Sequence, residues 1–95
     1  MARFLLHENT KESVIRLYEK GKADTGEEAY NNRQPYVVEF IVDWLTPEVI
    51  YVSCLMSRVC LTREDLEQIK EYARARGVKQ IWQEVGGRLK VDCLE

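Results

Sequence analysis

The sequence predicts an α+β domain, a two-layer sandwich in the order β-α-β-β-α-β-β. Its sheet is expected to be mostly antiparallel, with two helices on one face. Three observations carry this. Residues 36–45 alternate apolar and polar in the manner of a half-buried strand. Two segments place a polar residue three positions ahead of an acidic one, the spacing of a helix-start capping box. Gly86-Gly87 joins two strand-like runs, a strong hairpin signal. The 95 residues, 45% hydrophobic and 32% charged, suit a single domain over 1–95 with a core of modest size.

Arg3 to His7 reads as a short first strand. Asn9 and Glu12 then supply the first capping spacing, and Val14, Leu17 and Tyr18 share one helical face, so a helix is expected over about 10–20, closed by Gly21. Residues 22–35 are polar, with Gly26, Asn31, Asn32 and Pro35, and are expected to be mostly loop. Thr25-Gly26-Glu27-Glu28 has the makings of a single helical turn inside it.

In the next strand Tyr36, Val38, Phe40, Val42 and Trp44 point one way, while Glu39 and Asp43 point the other. An i, i+4 stripe of Tyr36, Val37, Phe40, Ile41, Trp44 and Leu45 behind Pro35 keeps a helical alternative open for this segment. Thr46-Pro47-Glu48 turns the chain into a second apolar strand, Val49 to Met56. Thr62 and Asp65 repeat the capping spacing ahead of a helix over 62–76, with Leu66, Ile69, Tyr72 and Ala73 on one face and Gly77 as its stop. Val78 to Val85 and Arg88 to Cys93 form the closing hairpin. A two-residue turn sets Trp82 opposite Val91, with Leu89 and Cys93 on the same side; a three-residue loop aligns Ile81 and Val85 with them instead. Leu94-Glu95 resembles the end of a C-terminal tag and is given no structural weight.

Ile41, Leu45, Val49, Tyr51 and Leu55 offer more apolar strand surface than two short helices can cover. The functional expectation follows: a non-enzymatic interaction module that acts by occupying surface, as adaptor, inhibitor or assembly subunit. Its interface is expected on the 36–56 strand pair, to a protein partner or to a second copy as a homodimer, with Tyr36, Trp44 and Tyr51 as anchors. The N-terminus lacks the ~7–15-residue apolar stretch of a secretory signal, and no run has the ~18 apolar residues of a membrane span. A cytoplasmic location and no membrane partner are expected.

Other chemistry is thinner. Three cysteines, Cys54, Cys60 and Cys93, cannot all pair and read as reduced, buried thiols. With His7 as the single histidine, neither a zinc site nor a Cys–His nucleophile is expected, and no metal or cofactor is implied. Residues 58–90 carry eight basic and five acidic side chains, against six and nine in 1–57. Arg74, Arg76, Lys79, Arg88 and Lys90 with Trp82 therefore form the basis of an alternative reading, contact with a nucleic-acid backbone.

Asp24-Thr25-Gly26 resembles the catalytic signature of aspartic proteases, and Val85-Gly86-Gly87-Arg88-Leu89 is distantly similar to the Gly-Arg segment of the retroviral-type enzymes. That resemblance implies a homodimer in which two copies of Asp24 share a proton. The sequence departs from the pattern in two places. Lys20-Gly21-Lys22-Ala23 stands where that family has an apolar strand, and the 62–76 helix stands where it has a flap. Ala73 to Trp82 also resembles the helix-to-strand step of acetyltransferases, without their Gly-rich pyrophosphate loop.

Overall fold

The computed structural model describes residues 2–94. Six strands form one sheet in sequence order: β1 (Phe4–Asn9), β2 (Val14–Glu19), β3 (Val38–Thr46), β4 (Val49–Ser57), β5 (Gln80–Val85) and β6 (Arg88–Cys93). Helix α1 (Gly26–Asn31) lies between β2 and β3, and α2 (Arg63–Ala75) between β4 and β5. Every neighbouring pair is antiparallel except β4 and β5, which α2 connects in parallel. The α+β class and the mainly antiparallel sheet are as the sequence predicts. Among the described residues no helix is long and apolar enough to cross a membrane.

Two details differ from expectation. The order is β-β-α-β-β-α-β-β, because residues 14–19 form a strand and the 22–35 segment holds α1. Asn9 does accept the N–H groups of Lys11 and Glu12, as a helix cap would. Here the same bonds close the β1–β2 turn, with Ser13 in the left-handed region at φ 57°. The β-branched Val14 and Ile15 then continue as strand. Ahead of α1, Thr25 Oγ1 accepts the Glu28 N–H, so the helical turn forms where that tetrapeptide allows it.

The second difference is the placement of the helices, which lie on opposite faces of the sheet. Phe4, Ile15, Leu17, Val38, Phe40, Val42, Ile50, Val52 and Ile81 point to one face, where they pack with Ala73, Ile69 and Tyr72 of α2. Leu5 and Tyr18 point to the other, against Ala23, Ala29 and Tyr30 at α1. Gly26 starts α1 so close to β1 that a Cβ there would collide with the Leu6 carbonyl. Leu94 is also a core residue: it is buried, its N–H donates to the Lys79 carbonyl, and its own carbonyl accepts from Arg74 Nε.

The α2 start is a full capping box. Thr62 Oγ1 accepts the Asp65 N–H, and the Asp65 carboxylate accepts the Thr62 N–H at 2.8 Å. Asp65 is the one buried charged residue among the described residues, and Arg3 answers it. The closing hairpin uses the two-residue turn, with Gly86 at φ 58° and Gly87 at φ 79° and Trp82 opposite Val91.

Candidate functional site

Alternation along each strand decides what the α1 side of the sheet presents. Because Val42, Ile50, Val52 and Ile81 point towards α2, Ile41, Val49, Tyr51 and Trp82 point away from it. Helix α1 packs against β1 and β2, and α2 packs on the opposite face, so among the described residues the buried clusters place neither helix over this half of the face. Cross-strand register draws Tyr51, Trp82 and Val91 into one row over β4, β5 and β6, and Leu89 and Cys93 extend the apolar edge along β6. Val91 is 43% exposed and Leu89 55% exposed, values that describe a bare apolar surface. The Trp82 indole N–H donates to Gln80 Oε1 at 2.9 Å, which leaves the ring an apolar plate with its polar atom satisfied.

The three anchors expected from sequence are not brought together. Tyr51 lies in the row just described. Tyr36 is held near α1, with the Arg16 guanidinium 4.7 Å and the Arg58 guanidinium 5.8 Å from its ring centre. Seven residues of extended chain, roughly 23 Å, separate Tyr36 from the Asp43 that pairs with Tyr51. Trp44 pairs with Ile50 and so points to the α2 face, 42% exposed beyond the core. Leu55 also leaves the expected patch. A bulge at Cys54, φ 53°, turns it towards the α2 side. Residues 80–93 thus supply half of the surface, and they do so because of the hairpin register that the sequence leaves open.

Two concavities lie elsewhere, one on the α2 side of the sheet and one beside α1. An apolar groove of about 140 Å³ runs between α2 and β4–β6, floored by Phe40, Val52 and Ile81, with Lys70 and Lys90 among its lining. A polar cleft of about 560 Å³ lies beside α1, lined by Arg16, Tyr18, Tyr30 and Tyr36 among others. Arg16 is engaged there with Glu39 at 2.7 Å, which raises the guanidinium pKa, and burial raises that of the Tyr18 phenol.

The basic residues of the alternative reading are mostly committed within the chain. Arg74 pairs with Glu71, Arg76 with Glu8, and Lys79 with Glu48 at 2.8 Å. Arg88 and Lys90 stand exposed on β6. Asp24 is exposed in the loop before α1, and its N–H donates to the Glu28 carboxylate. All three cysteines are free and exposed, where burial was expected, because Cys54 lies at the bulge, Cys60 in the connection to α2 and Cys93 on the edge strand. His7 stacks on Tyr30 with ring centres 4.2 Å apart, on β1, three strands and roughly 14 Å from Cys54 on β4. Among the described residues, no group of three or more His, Cys, Asp or Glu is placed to hold a metal ion.

No known protein family, characterised protein or solved structure matches this chain. Its role is read from its residues.

Proposed function

We propose that the chain is a small non-enzymatic interaction module that acts by occupying surface and associates with a second copy through the uncovered half of its sheet. The observation that supports this reading is the row Tyr51–Trp82–Val91, aromatic and aliphatic side chains in register across three strands on the side away from α2, with Val91 43% exposed at its end. Burying such a row releases about 25 cal/mol for each Å² of apolar surface taken from water, and aromatic anchors carry a large share of such energy. Cross-strand order also keeps the surface rigid before it docks, which limits the entropy lost on association.

Sedimentation of the whole chain over a wide concentration range tests the reading. A reversible monomer–dimer equilibrium is expected, and Val91→Lys shifts it to monomer while leaving the melting temperature within a few degrees, since Val91 is already half exposed. Sedimentation at the monomer mass at every concentration would sink the reading.

A further inference from the structure

We infer that the second copy joins at the β6 edge, antiparallel and centred on Val91, so that two six-stranded sheets become one. This rests on the self-association reading above and names its geometry. Strand β6 is the last in the sheet, and among the described residues no further strand stands beyond it. The Leu94 N–H donates to Lys79, back towards β5. Lateral direction alternates along an antiparallel strand, so the backbone groups of Leu89, Val91 and Cys93 point outward, away from β5. Their side chains lie on the uncovered face.

An open row of backbone donors and acceptors is a template for pairing, and proteins blunt such edges with proline, bulges or inward charge. β6 has neither proline nor bulge: its register with β5 runs unbroken from Arg88 to Cys93. It does carry Arg88 at its start and Lys90 and Asp92 at its middle, charges that oppose pairing with most strands. They do not oppose pairing with a second β6. In an antiparallel pair centred on Val91, each Lys90 faces the other copy's Asp92, and Leu89 faces Cys93. Shifting the centre to Lys90 faces Arg88 with Asp92 but sets lysine against lysine at the axis; shifting it to Asp92 sets aspartate against aspartate; shifting it to Leu89 sets Arg88 against Lys90. One register alone satisfies both Lys90 and Asp92, and it places them in the closer, non-hydrogen-bonded pairs where side chains interact most. It also runs the Tyr51–Trp82–Val91 row across the two-fold axis into its symmetry mate, the self-complementary arrangement a two-fold interface requires.

Charge reversal with exchange tests this. Lys90→Asp and Asp92→Lys are made separately and together in the full chain, with thermal melts to verify folding and sedimentation at low salt to read the dimer constant. Each single reversal creates two like-charge pairs and weakens the homodimer by about tenfold. The double variant restores wild-type affinity, and mixing the two single variants yields a heterodimer that forms more readily than either homodimer. A wild-type dimer indifferent to both single reversals overturns the β6 pairing and leaves the self-association reading standing. Singles that weaken the dimer without rescue on mixing overturn it as well. A wild-type chain that never dimerises removes the broader reading instead.

Discussion

Arg3 and Asp65 are 62 residues apart in sequence and form a two-point ion pair, Nε to Oδ1 at 2.9 Å and Nη2 to Oδ2 at 2.7 Å. Arg3 also donates to the Cys60 carbonyl, so one guanidinium ties the start of β1 to the entry of α2. The Asp65 carboxylate is nearly inaccessible while Arg3 remains half exposed. The helix start therefore depends on a charge that only the far end of the chain can satisfy.

Asp65→Asn should cost about 2 kcal/mol in chemical denaturation, since it weakens the charged pair and the return half of the capping box together. The pair with Arg3 holds the Asp65 pKa below the usual carboxylate range. A lowered folded pKa contributes stability that is complete above the unfolded value, about 4, and is lost as pH falls through the folded value. Wild type should thus lose stability on acidification below about pH 4 more steeply than Asp65→Asn. Parallel acid titrations of the two would contradict this.

Gly26→Ala should destabilise the chain by about 1–3 kcal/mol, although alanine is the better helix former. The added methyl meets the Leu6 backbone carbonyl, which has no flexible end to move aside. Urea unfolding of the two proteins checks it, and an equal or raised midpoint would show that α1 shifts freely on β1.

The two tryptophans should behave differently on truncation. Trp44→Ala removes a half-exposed ring on the α2 side and should cost less than about 1.5 kcal/mol of stability while leaving the dimer constant unchanged. Trp82→Ala removes the middle of the uncovered row and should weaken association several-fold. Sedimentation equilibrium with paired denaturation curves separates these outcomes. A reversed order would place the interface on the α2 face.

All three thiols should react with an aromatic disulfide reagent in the folded monomer, without denaturant, because Cys54, Cys60 and Cys93 are free and exposed. At concentrations that favour the β6-paired dimer, Cys93 should react more slowly than the other two. Mass mapping of partly labelled protein gives the order, and a buried thiol at any of the three positions would contradict the arrangement.

Much of the architecture is set by local chemistry and so can be read without coordinates. Val38, Phe40 and Val42 alternate with Glu39 because one side of β3 meets the core and the other meets Arg16. Thr62 and Asp65 bond to each other within one helical turn, and Gly86-Gly87 supplies the two positive φ angles of a tight hairpin. That Tyr51 faces away from the α2-side core can be read on the same grounds, since it is an aromatic on a strand whose alternate residues Ile50 and Val52 fill that core.

Residues 14–19 are different, and so is the site. Ile15 and Leu17 are buried towards α2 and Tyr18 towards α1, so a strand covered on both faces shows no alternation, and its apolar spacing coincides with that of a helix. Asn9 makes the same backbone bonds whether it caps a helix or closes a turn; the choice belongs to the sheet that receives the chain. The row Tyr51–Trp82–Val91 joins β4 to β5 through the α2 crossover, and its alignment arises only when Ile50 and Ile81 enter the same core layer. Local bonding determines which segments are extended or coiled. Which faces are buried, and which one is left bare, is decided by packing between segments that no short stretch of sequence contains.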